Sequence, residues 1–140
     1  MMAKGKRIWL VKSEPNVYSF DDLLKDKQTA WTGVRNYGAR NNLRDMKIGD
    51  TLFYYHSNIG KAIVGIATVV KESYQDPTTD DKNWLCVDIA PVKKLKTEVT
   101  LEDVKSHPHL ATMDLVRLGR LSVQTVKKEE FEEIIKMSNE

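Results

Sequence analysis

Cysteine is almost absent: Cys86 stands alone among 140 residues, so no disulfide can form within the chain. Its place in the apolar run Leu85, Cys86, Val87 reads as a buried, inert thiol, which fits a reducing compartment. Long hydrophobic runs are missing as well. Ile8 to Val11 is far shorter than the ~20 residues of a membrane span, and too short for a secretory core behind the basic segment Met1 to Arg7. The expectation is a soluble, intracellular, cytoplasmic protein with no membrane partner. Nor does charge of one sign dominate. The 22 basic and 20 acidic residues leave a net charge of +2, too little to hold duplex nucleic acid by charge alone. Any affinity for nucleic acid must come from a local patch and from stacking. There is no phosphate-binding loop and no dinucleotide fingerprint. His107 and His109 flank Pro108, but no cysteine or carboxylate set completes a zinc pattern, so neither metal nor cofactor is expected. Without repeats, linkers or low-complexity stretches, the length suits one domain over 1–140, with its core at about 7–137.

What is there alternates between strand and helix signals. Ile8 to Lys12 reads as a strand that leaves its sheet at Ser13 and Glu14, because Pro15 pushes Glu14 toward extended geometry. Ser19 caps a short helix carrying Phe20, Leu23 and Leu24, and Asn36 to Met46 is a second helix with a basic outer side. Thr29 to Gly33 reads as a loop between them. Thr51–Ser57 and Lys61–Val70 form a hairpin around Asn58 to Gly60. Gln75 to Asn83 is a surface loop, Trp84 to Val92 a strand, and Thr100 the cap of a helix running to Lys105. Leu121 to Val126 gives a last strand and Glu129 to Met137 a last helix. The sum is an α+β domain on a mixed, largely antiparallel sheet or small barrel.

Three clusters of residues could carry chemistry. Lys12, Ser13 and Glu14 place a cation, a hydroxyl and a carboxylate in succession. On an extended chain Lys12 and Glu14 share a face that Ser13 cannot join, so the cluster reads as either a solvated strand end or a pocket rim rather than a catalytic group. The stretch Trp31 to Asn42 combines an aromatic ring with hydrogen-bonding and basic groups. Trp31 beside Gly33 could offer a face to a base, with Arg35, Arg40 and Arg44 positioning phosphates; equally, the ring could be core and the arginines a solvated helix face. In the third, Phe53, Tyr55 and Ser57 share one face of a strand while Tyr54 and His56 share the other, so that one set packs inside and the other lines a cleft. Adjacent strand residues diverge, which excludes a Ser57–His56 nucleophile pair.

Trp9 to Pro15, Trp31 with Gly33 to Tyr37 and Ala39 to Asn41, Tyr54 to Ser57, and Leu121 to Gln124 resemble, in order and spacing, the successive signatures of the EVE domain. The resemblance covers nearly the whole chain. It implies a PUA-like fold, a small mixed β-barrel flanked by short helices, related to the YTH domains that read methylated adenine in RNA. It also implies a pocket built from Lys12, Ser13, Glu14, Trp31, Val34, Arg35, Asn36, Tyr55, His56 and Ser57. In that pocket Trp31 would stack, Asn36 and Ser13 would bond base edges, and Arg35 and Arg40 would meet phosphate. The chain departs from the pattern at Thr32, where an acidic residue is common, at Thr125, where proline is, and at Lys127, where a capping hydroxyl is.

The function this implies is a non-enzymatic module that holds one modified cytosine or adenine of DNA or RNA in an aromatic pocket. One buried methyl contributes about 0.8 kcal/mol, so sharp selectivity would need polar groups that a wrong base leaves unpaired. Replacing Trp31 with Ala is then expected to abolish base binding and spare the fold. Two alternatives use the same pocket: hydrolysis of a modified nucleoside by Lys12, Ser13 and Glu14, as in some related ASCH domains, or sensing of a small molecule.

Overall fold

The computed structural model describes residues 6–139. Six strands and five helices follow in the order β1 (Ile8–Ser13), α1 (Phe20–Asp26), β2 (Thr29–Ala30), α2 (Tyr37–Asp45), β3 (Thr51–His56), β4 (Ala62–Gln75), β5 (Leu85–Thr100), α3 (Leu101–Ser106), α4 (Asp114–Arg117), β6 (Val123–Val126) and α5 (Lys128–Met137). The basic segment before Lys6 lies outside the described residues. The strands make one mixed sheet in the order β2-β5-β4-β3-β1-β6, with β1 parallel to β3 and every other pair antiparallel.

The expected α+β class holds, but the barrel is not closed by hydrogen bonds. β2 has two residues and pairs with β5 alone, and α2 packs against both β5 and β6 where a closing strand pair would lie. Thr29 and Ala30, expected in a loop, thus form the edge strand.

Strand alternation produces two cores, one on each side of β1 and β3. Trp9 and Val11 point to one side with Tyr54, Phe20 and Trp31; Ile8 and Leu10 point to the other with Phe53, Tyr55 and Ile63. Both sides of β3 are therefore buried, whereas one was expected to line a cleft. Neighbouring helices cover each face of the sheet at this point, so its central strands have no solvent side.

Helix ends follow the expected chemistry. Ser19 accepts from Asp22 N at 3.0 Å and Thr100 from Asp103 N at 3.0 Å, satisfying amides that the first helical turn leaves free. Lys127 brings no hydroxyl, and there Glu130 Oε1 accepts from Lys127 N at 2.8 Å instead. One close approach fixes α1 on the sheet. A Cβ on Gly65 would lie 2.5 Å from the Phe20 ring, so only glycine lets that ring press onto β4.

Candidate nucleic-acid site

β1 and the segment after it set one wall of the site. Glu14 O accepts from Val17 N at 2.9 Å and Tyr18 N at 3.0 Å, a turn that begins at the extended Glu14-Pro15 step. Glu14 therefore acts through its backbone. The turn delivers Tyr18, whose carbonyl accepts from the Tyr54 hydroxyl at 2.6 Å and whose own hydroxyl donates to Asp26 at 2.7 Å. Burial and the Asp26 bond push the Tyr18 hydroxyl up to about 12, and burial also raises that of Tyr54, so both stay neutral donors near neutral pH.

Trp31 is the floor. Its backbone N donates to Val87 O at 2.7 Å, and its ring stands edge-on to Tyr54 at 5.5 Å and to Tyr18 at 6.5 Å. Only 8% of it is exposed. Trp31 is thus a core residue that also lines a cavity. Above it lies an open cavity of about 450 Å³ whose lining includes Ser13, Tyr18, Thr32, Val34, Arg35 and Ser122. That volume falls in the range of small-molecule sites, about 300 to 1,000 Å³, and is ample for one nucleobase.

The loop over the cavity is fixed by a buried acid. Asp76 accepts from Gly33 N at 2.7 Å, Arg35 Nη1 at 3.0 Å and the Thr78 hydroxyl at 2.6 Å. Burial by itself would raise the Asp76 carboxyl, but the bonds from Thr78, Gly33 and Arg35 outweigh it and hold it at about 2. Gly33 supplies the left-handed backbone (φ +86°) that aims its N–H at this carboxylate. Thr32 is exposed at the cavity rim.

The ten residues expected in one pocket do not all meet. In the parallel register Lys12 sits beside Tyr55 and Ser13 beside His56. Lys12 Nζ donates to Gly119 O at 2.7 Å and lies 5.7 Å from the Tyr55 ring. Tyr55 and Ser57, with Lys12, line a separate cavity of about 220 Å³ on the other face. Lys12 borders both, and burial lowers the pKa of its ammonium. His56 stays on the Trp31 side but behind the wall: its Nε2 accepts from Phe20 N at 3.1 Å, and burial lowers its pKa. Asn36 does not line the cavity, because its Oδ1 caps α2 by accepting from Ala39 N at 3.0 Å. Arg35 is committed to Asp76; Arg44 is exposed beside Asp45 at 3.6 Å; Arg40 donates to Asn83 O at 2.9 Å. Strand alternation and helix capping, both local rules, separate residues that motif order had placed together.

Sequence reasoning missed Tyr18, Ser122 and Asp76. Ser122 lies within one of the quoted signatures, and Tyr18 just precedes the Ser19 cap. Asp76 left no signal, since an acid in an Asp- and Thr-rich loop reads as solvated. Among the described residues no group of three His, Cys, Asp or Glu side chains could hold a metal ion. No described helix is long and apolar enough to cross a membrane.

Comparison with known proteins places this geometry. Mouse thymocyte nuclear protein 1 is 40% identical to the chain over 163 aligned residues, which span 92% of this chain and 72% of the mouse protein. A Rhodopseudomonas palustris protein solved by NMR superposes with a TM-score of 0.91 at 50% identity, covering 95% of this chain and 93% of its own. Human THYN1 protein, solved in complex with DNA containing 5-methylcytosine, superposes at 0.87 with 34% identity, covering 96% and 99%. The EVE domain profile matches residues 7–137, and the chain belongs to the EVE domain family.

Proposed function

We propose that this chain is a nucleic-acid-binding module that holds a single modified base, 5-methylcytosine being the first candidate, in the cavity over Trp31. The carrying observation is that cavity: about 450 Å³, floored by an aromatic ring and rimmed by hydroxyls and Arg35 on a loop already locked by Asp76. A pre-ordered loop loses little entropy on binding, so weak contacts to one base suffice for useful affinity. The solved complex of human THYN1 with 5-methylcytosine DNA supports the choice of base. In duplex DNA the base must leave its stack to enter, at a cost of a few kcal/mol.

The reading is non-enzymatic. The side chains of Lys12, Ser13 and Glu14 do not bond to one another: the ammonium donates to Gly119 O at 2.7 Å, the Ser13 hydroxyl donates to the Glu14 carbonyl at 3.4 Å, and Glu14 lines neither cavity. An intracellular, reducing location accords with a lone, buried Cys86.

The test is equilibrium binding to short single- and double-stranded DNA and RNA, each carrying one modified base, at two salt concentrations. The expected result is tightest binding to one modified base, weakened by Ser13→Ala. Uniform weak binding across the panel would overturn the proposal and favour a free small molecule. Trp31→Ala is a poor probe, because removing a buried tryptophan costs about 3 to 5 kcal/mol of stability and confounds binding with folding.

A further inference from the structure

Beside the cavity lies an aromatic pair that the base-holding site does not use. Tyr37, the first residue of α2, is 56% exposed although it is a large ring. It packs against half-buried Trp84, with centroids 4.8 Å apart and planes 30° from parallel. Each ring carries a guanidinium: Arg40 Cζ is 5.2 Å from the Tyr37 centroid, and Arg35 Cζ is 5.8 Å from that of Trp84. The pair is held in place from three directions. Asn36 caps the helix that presents Tyr37, Arg40 Nη1 ties that helix to Asn83 O at 2.9 Å, and Asp76 anchors Arg35. Arg35 also lines the cavity, so the pair and the cavity share a border.

Flat rings, partly exposed and flanked by fixed cations, match a nucleotide on both its base and its phosphate. A protein with a net charge of +2 has little long-range attraction for a polyanion and needs such local contacts. We propose that Tyr37 and Trp84, with Arg40, form a stacking platform for the nucleotide next to the base held in the cavity, so that the module takes a single-stranded or locally opened strand of two or more nucleotides. This rests on the base-holding reading for the cavity but not on which base enters it.

The test uses three ligands: free 5-methyldeoxycytidine, a DNA pentanucleotide with 5-methylcytosine at its centre, and the same pentanucleotide unmethylated. Tyr37→Ala is expected to weaken both pentanucleotides about tenfold, within the range a stacked base contributes, and to leave the nucleoside unchanged. Tyr37→Phe keeps the ring and should keep the affinity. Arg40→Gln should lower the slope of log affinity against log salt by about 0.7, the value for one phosphate contact on a single strand. The platform is overturned if Tyr37→Ala binds the pentanucleotides within about twofold of the parent, or loses the nucleoside in equal measure. Should Tyr37→Ala fail to fold, Tyr37→Leu keeps apolar packing on Trp84 without a ring and carries the same test. If the parent does not distinguish the methylated pentanucleotide but Tyr37→Ala still weakens both, the modified-base reading fails and the platform stands. If methyl preference survives and Tyr37→Ala has no effect, the platform fails and the modified-base reading stands.

Discussion

Two cavities lie back to back across β1 and β3, and adjacent residues of the same strands serve each. On one side Ser13 and Tyr18 line the space over Trp31; on the other Tyr55 and Ser57 line a cavity half its size, and Lys12 borders both. The first has hydroxyls and a locked loop around an open floor. The second is partly filled by its own lysine, whose ammonium is already bonded to Gly119 O. A motif that looks like one site in sequence can thus be half site and half scaffold. Position along a strand says which residues are near; only parity says which face they share.

The comparison breaks most sharply at Asp76. Replacing it with Ala would strand Gly33 N–H and free Arg35 and Thr78, at an expected cost of about 2 to 3 kcal/mol in stability together with loss of oligonucleotide binding. Thermal unfolding and binding on the same preparation check both. Tyr55→Phe, whose ring lines only the cavity on the other face, should leave binding over Trp31 within about twofold of the parent. Equal loss from both variants would mean that the two cavities act as one.

Next in size is Gly65→Ala, which drives a methyl into the Phe20 ring and should lower stability by about 1 to 3 kcal/mol, seen as a lower melting temperature. It should also loosen α1 and the Tyr18 wall, so affinity for a modified-base oligonucleotide falls with it. Unchanged affinity would show that the wall does not depend on α1.

A smaller and more selective effect separates two serines. Ser13→Ala should weaken binding of the favoured base about three- to tenfold, the worth of one hydrogen bond, while Ser57→Ala should do nothing measurable. The reverse order would move the site to the Lys12–Tyr55 face.

The smallest effect is in pH. His56 accepts a hydrogen bond from Phe20 N and burial depresses its pKa, so the folded state prefers the neutral ring. The unfolded state takes the proton first, near its ordinary value of about 6.5. Stability is therefore complete above that pH and falls as pH drops toward the folded-state value. Asp76 behaves likewise at lower pH: its contribution is present above about 3.9 and is lost as pH falls through about 2. Melting temperatures from pH 7.5 to 5 should show a shallow decline that His56→Gln, which keeps an acceptor but not the titration, removes.

Most of the fold was legible because its signals are local. Ser19, Thr100 and Asn36 cap helices as short polar side chains do at such positions, and the hairpin turn at Asn58 to Gly60 places φ at +65° and +81° where Asn and Gly tolerate it. The site was legible in part. Trp31, Ser13, Val34 and Arg35 converge as the motif order implied, and Thr32 joins them. Asn36 shows the limit, since the residue that sequence reasoning assigned to a base edge is spent on the helix it begins.

The sequence by itself determined most of the elements, though not β2 or α4, and the resemblance that identifies the family, because periodicity, capping and turn chemistry act over a few residues. Tertiary structure alone decided that Trp31 is a floor clasped edge-on by Tyr18 and Tyr54, that Asp76 lies 43 positions from the Gly33 it anchors, and that Tyr37 meets Trp84. Those contacts join segments far apart in the chain. Their energies depend on which side of a strand each segment meets, a property that no local pattern encodes.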